Sequence, residues 1–184
     1  MPIAVTTELP ASSLLAELRL RGSYTDGFSL TVARDVSLAQ FVEAFYTTPL
    51  FKAERAVLRL LAGRASSDIE ARELGQGSRE TFAVWRVTER QAQQILLTDE
   101  TGRTSSWLMV EQQPSPGGAV TRLYFGSAIT PRSNRLQGPG GQPQFSPVFH
   151  ALLGLHKVYS RQLLQAAAAR LLRLDTPRAT GSDA

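Results

Sequence analysis

The spacing of apolar residues changes period along the chain. Phe28, Leu30 and Val32 alternate with polar neighbours, the period-two pattern of a strand, after a turn at Tyr24-Thr25-Asp26-Gly27. From Ser37 the period turns helical, with Leu38, Phe41, Val42 and Phe45 on one stripe. Ser37 and Gln40 read as a capping box, and Val36 with Phe41 as a hydrophobic staple. The stripe breaks at Thr47-Thr48-Pro49, where Thr48 caps a second helix and Pro49 takes its first position. In that helix Leu50, Val57, Leu58 and Leu61 face inward, and Gly63 supplies a left-handed stop. The residue before a proline avoids helical backbone angles, so two short helices meeting at a bend are predicted.

Beyond Thr81 the pattern favours strands, predicted over 81–88, 92–98, 105–111 and 119–130. Their connections are short and rich in turn residues, which makes neighbours antiparallel. The weaker stretch from Ser67 to Leu74 is read as one more strand at an edge. The segment from Pro131 to Pro147 has no periodicity and holds Gly138, Pro139, Gly140, Gly141 and Pro143, so it reads as an exposed loop. Ser146-Pro147 then opens the longest helix, running to about Leu174 over roughly 40 Å. Val148, Leu152, Leu155, Tyr159, Leu163 and Ala166 lie along one side of it. Ahead of the first strand, Ser12 or Ser13 caps a short helix from Leu14 to Leu20, within a segment 1–22 expected at the periphery. No repeat of solenoid period is present. One domain over 23–174 is expected, followed by a disordered tail over 175–184.

Strands gathered together with helices at the ends argue an α+β fold. The predicted architecture is an antiparallel β-sheet gripping the long C-terminal helix, with two short bent helices after the first strand. Where side chains do not fill the space between helix and sheet, a ligand cavity results. This order resembles the START-like, or Bet v 1-like, helix-grip superfamily, which includes polyketide cyclases and lipid-transfer domains. More narrowly, the chain resembles a bacterial START-like family of unassigned function. The matching strings are Tyr24-Thr25-Asp26-Gly27-Phe28, residues 37–46, Thr48-Pro49-Leu50 with its helix, and residues 153–161. The resemblance implies a grip fold with an internal cavity over about residues 23–172, and it carries over no assigned activity and no active-site residues.

Composition narrows the function. The 184 residues contain no cysteine, which excludes disulfides, thiolate metal sites and a cysteine nucleophile. The first residues lack the basic head and apolar stretch of a signal peptide, and no apolar run is long enough to span a bilayer, so a soluble cytoplasmic protein is expected. The net charge is +4, and all but Lys52 and Lys157 of the 20 basic residues are arginine. No acidic residue lies between Glu111 and Asp175. That basic stretch either pairs with the acidic first half or meets an anionic surface or protein partner. Aromatic and basic residues interleave too thinly for a nucleic-acid site.

Candidate chemistry is sparse. No dinucleotide, phosphate-loop, serine-elbow or zinc-protease motif is present. His150 and His156 lie six residues apart, roughly 240° around a helix, so they cannot share a metal by same-face spacing. No metal and no cofactor is expected. Trp85, Trp107, Tyr124 and Phe149 are candidates to line the cavity, against the plainer role of core packing. His150 and Leu153, early in the long helix, join them at its edge. Arg122 shares a face with Tyr124, and turned inward it would bind the acidic head of an apolar ligand. Asp26, Asp68 and Asp99 read as loop carboxylates. Three functions follow: binding of an apolar or amphipathic small molecule, such as a lipid or polyketide-like acid; a cyclase, dehydratase or isomerase in the same cavity; or an adaptor using the basic C-terminal half. The first is the leading expectation, and whether the protein is an enzyme stays open.

Overall fold

The computed structural model describes residues 2–130 and 147–173, without the side chains of Val57, Leu58, Leu61, Ala62 and residues 147–155. The expected loop over 131–146 and the expected tail therefore lie outside the described residues. In chain order the elements are β1 (Val5–Thr6), α1 (Leu14–Leu20), β2 (Tyr24–Val32), α2 (Leu38–Tyr46), α3 (Pro49–Ala62) and α4 (Asp68–Gln76). There follow β3 (Thr81–Phe82), β4 (Trp85–Gln91), β5 (Gln94–Asp99), β6 (Thr104–Gln113), β7 (Val120–Ile129) and α5 (Pro147–Arg173). The strands form one antiparallel sheet in the order β1-β2-β7-β6-β5-β4-β3. The fold is α+β, with the C-terminal helix packed on the sheet against β2, β7 and α2. This arrangement is compatible with a helix grip.

The helix signals are realised in atomic detail. Ser37 Oγ accepts from Gln40 N, and Gln40 Oε1 accepts from Ser37 N at 2.9 Å, closing the capping box of α2. Thr48 Oγ1 accepts from Phe51 N at 3.1 Å at the start of α3, and Gly63 ends that helix at φ 64°.

Two local readings need correction. Residues 67–74 are not an edge strand but helix α4, because Ser67 and Glu70 form a second capping box. The buried residues Ala71, Leu74 and Gly75 then recur at helical spacing. A Cβ on Gly75 would stand 2.6 Å from the Ala39 carbonyl oxygen, so glycine is what lets α4 press against α2. Residues 24–27 are not a turn, since β2 is continuous from Tyr24 and pairs with β7 along its whole length. Asp26 is consequently a buried strand residue rather than a loop carboxylate. Asp99 does cap a turn, accepting from Arg103 N at 2.9 Å.

Both faces of the central strands β6 and β7 are covered. On the α5 face, register partners stack into rows across β2, β7 and β6: Leu30, Leu123, Val110, then Phe28, Phe125, Leu108, then Asp26, Ser127, Ser106. The first two rows join the main core with Leu163, Leu164, Ala167, Ala168 and Leu171 of α5. Each fully buried side chain of this kind contributes roughly 1.5–3 kcal/mol. The third row is polar, a step in the chemistry of the face.

Two parts of the described segment 2–22 contact the sheet. β1 supplies an edge strand, and α1 lies on the opposite face, with Leu14 and Leu15 packed against Leu96, Trp107, Met109 and Tyr124. Gln94 ties α1 down: Oε1 accepts from Leu14 N and from Trp107 Nε1, both at 2.9 Å, while Nε2 donates to the Ser12 carbonyl. A Cβ at Gly126 would lie 2.8 Å from Leu15 Cδ2 and 2.7 Å from the Asp26 carbonyl oxygen, so this close approach also requires glycine.

Candidate functional site

A pocket of 660 Å³ opens between α3, α5 and the sheet, at the end of the α5-facing side where the polar row lies. Leu50, Phe51, Trp85, Phe125 and Leu163 give it apolar walls. Thr104, Ser106 and Ser127 contribute hydroxyls, Ser105 lies at the floor with its own hydroxyl paired to Thr98 on the other face, and Glu54, His156 and Tyr159 are its titratable side chains. Among the described residues it is an open cleft.

The polar end has two connected parts. In the first, Asp26 Oδ1 accepts from Ser127 N at 3.1 Å and from Ser127 Oγ at 2.7 Å. Ser127 Oγ lies 2.9 Å from His156 Nε2, and Ser160 Oγ lies 3.4 Å from the same nitrogen. With the serine proton on Asp26, His156 Nε2 carries the hydrogen of its contact with Ser127. A nucleophilic triad needs the serine and the carboxylate on different ring nitrogens. Here both face Nε2, with Asp26 Oδ2 at 3.6 Å, so Ser127 is a bridge and not a nucleophile. The Asp26 side chain is only 4% exposed, and Oδ2 makes no hydrogen bond among the described residues.

In the second part, the Tyr159 hydroxyl donates to Glu54 Oε2 across the pocket, from α5 to α3. Burial pushes the Glu54 carboxyl above the usual carboxylate range, against the opposing effects of the Tyr159 hydrogen bond and His156. Burial and the Glu54 carboxylate push the Tyr159 phenol up, so it is a donor at neutral pH. Arg55, the next residue on α3, points the other way. Its Nη1 donates to Asp68 Oδ1 at 2.7 Å, Nε donates to Ser66 Oγ at 3.0 Å, and Nη2 donates to the Ser66 carbonyl. This clamp fixes α3 against the start of α4 and so holds Glu54 toward α5. Trp85 Nε1 is buried without a hydrogen-bond partner among the described residues.

The residues singled out from sequence divide between the faces. Trp85 lines the pocket. Trp107, Arg122 and Tyr124 do not, because strand parity turns them to the α1 face, where Trp107 and Tyr124 pack with Leu14 and Leu15. The Arg122 guanidinium sits over the Tyr124 ring at 5.5 Å, and the Tyr124 hydroxyl donates to Glu111 at 2.8 Å. Arg122 is thus no anchor for a ligand head in this pocket. Phe149, His150 and Leu153 fall on α5, with side chains outside the described residues.

Ser127, Glu54 and Tyr159 are not among the sequence candidates, Asp26 enters there only as a loop carboxylate, and His156 only as half of a histidine pair that cannot share a metal. Two signals pointed to them. Asp26 has the parity of Phe28, Leu30 and Val32, which puts a carboxylate on the apolar face of its strand. His156 precedes Tyr159 by three residues, so they share a helix face.

Among the described residues, no group of three His, Asp or Glu side chains is placed to hold a metal ion. No helix among them is long and apolar enough to cross a membrane. No family model matches the chain, and no curated protein matches it.

Proposed function

We propose that the protein binds an amphipathic small molecule in the pocket between α3, α5 and the sheet. The observation that carries this is the 660 Å³ cleft with aromatic and aliphatic walls and a polar group of side chains at one end. That volume lies within the range of small-molecule sites, and few convergent polar groups on apolar walls are their usual composition. We assign the chain to the helix-grip superfamily on the same ground: a first long strand paired with the last, three helices (α2, α3 and α4) before the meander, and a closing helix over one face of the sheet. An acidic ligand is disfavoured relative to a neutral or basic one, because Arg122 faces away from the pocket.

A second reading is proton transfer on the bound molecule. It is favoured by the convergence of Glu54, His156 and Tyr159 on one pocket, since an acid–base reaction needs at least two such groups within reach of the substrate. On this reading Glu54, raised by burial, exchanges a proton with the substrate, and Ser127 with Asp26 holds the His156 ring in place.

Titration with the neutral apolar dye N-phenyl-1-naphthylamine tests the binding reading. Saturable fluorescence enhancement is expected, reduced at least tenfold in affinity by Leu50→Trp, which fills the cleft from its rim. Native mass spectrometry of the purified protein then detects any co-purifying molecule. Absence of dye binding, or binding indifferent to Leu50→Trp, would overturn the proposal.

A further inference from the structure

We infer that the pocket selects ligands bearing an organic ammonium head, with the cation held by Glu54 and the aromatic walls. This rests on the pocket reading above and specifies its ligand. Among the described lining residues there is one carboxylate and no lysine or arginine. The nearby cations of α3 are engaged elsewhere: Lys52 with Asp68 Oδ2 at 2.5 Å, and Arg55 with Asp68 Oδ1 at 2.7 Å. Arg161 of α5 donates to Thr6 Oγ1 at 2.7 Å and lies over the Phe28 ring. A second carboxylate, Asp26, lies directly behind His156, with Oδ2 buried and short of a hydrogen bond. Among the described lining residues the polar end thus holds one carboxylate, and the one group there able to carry positive charge is His156, whose influence on Glu54 does not offset the carboxyl's burial.

The walls complete the match. Phe51, Trp85, Phe125 and Tyr159 present aromatic rings to the same space. Ring faces attract cations, most strongly where water is excluded, and a carboxylate beside aromatic rings is the generic recognition chemistry of ammonium groups. The raised proton affinity of Glu54 has the same origin, a buried carboxylate whose hydrogen bond from Tyr159 does not offset its lost hydration. An ammonium ion supplies the missing countercharge. A carboxylate head in the same place meets Glu54 at close range and is repelled.

Calorimetric titration of the native protein at pH 8 with decylamine, decanol and sodium decanoate, each kept below its aggregation threshold, tests this. Decylamine is expected to bind at least tenfold tighter than decanoate, with decanol between them. Glu54→Gln is expected to bring decylamine to within threefold of decanol. Decanoate binding as tightly as decylamine would overturn the ammonium assignment and leave the pocket reading standing. A preference for decylamine that survives Glu54→Gln, in a variant whose circular dichroism matches the native protein, would overturn the role of Glu54 and with it the inference. Failure of all three probes would overturn both readings.

Discussion

Asp26 and Ser127 are register partners on β2 and β7, and one carboxylate oxygen of Asp26 takes both the backbone N–H and the hydroxyl of Ser127, at 3.1 and 2.7 Å. The pair is buried, so removing the acceptor strands two donors away from water. Asp26→Ala is therefore expected to destabilise the protein by about 2–4 kcal/mol, while Asp26→Asn, which keeps an acceptor oxygen, loses less than half of that. Urea unfolding midpoints of the two variants check the difference. Equal losses would mean that the charge, and not the acceptor, is what matters.

At Gly126 the backbone lies too close to Leu15 and to the Asp26 carbonyl for any side chain. Gly126→Ala forces α1 off the sheet or spreads β2 from β7. A loss of about 1–3 kcal/mol is expected, with faster hydrogen exchange in residues 14–20 than elsewhere. A variant as stable as the native protein would contradict the tight docking of α1.

Glu54 sets a pH dependence. Its carboxyl has a higher proton affinity folded than unfolded, chiefly through burial. The folded state is thus favoured by the protonated form, and that contribution, complete below the unfolded value, is lost as pH rises through the folded one. Glu54→Gln, which is neutral throughout, is expected to melt higher than the native protein at pH 7–8, by a few degrees at most, with the difference vanishing toward pH 4. Differential scanning fluorimetry across that range measures it. A variant less stable at every pH would show that the Tyr159 hydrogen bond outweighs the buried charge.

Trp85 and Trp107 report on opposite faces of the sheet. Ligand-induced change in tryptophan emission is expected to survive Trp107→Phe and to disappear in Trp85→Phe. Arg122→Ala is expected to alter affinity by less than twofold. A larger effect at Arg122 would place the bound molecule on the α1 face.

The helix boundaries were legible because capping chemistry is local. Ser37 with Gln40 and Thr48 with Pro49 mark their helices within a few residues. Ser67 with Glu70 carries the same signal, but the polar texture of 67–76 hides its three buried positions, so from sequence alone the stretch reads as a strand. The faces of β6 and β7 were not legible. Each is buried on both sides, so Trp107-Leu108-Met109-Val110 and Leu123-Tyr124-Phe125 are unbroken apolar runs with no alternation to assign. Only α1, docked on the second face, decides which residues of these runs look away from α5. The candidate site was hidden for a different reason. Asp26, Ser127, Glu54 and His156 are scattered along the chain and acquire meaning from pairing across strands and helices.

The pairing of β2 with β7 also has a consequence for how the protein matures. Asp26 and Ser127 stand 101 residues apart in sequence, and the strands that carry them meet only when the last strand returns to the first long one. Closing so distant a contact is slow compared with forming hairpins such as β4–β5 or β5–β6. A chain emerging from the ribosome therefore completes its meander well before it possesses a polar pocket floor. The row that joins Asp26 to Ser127 belongs to the finished molecule, and the closure of that one seam is the event that creates it.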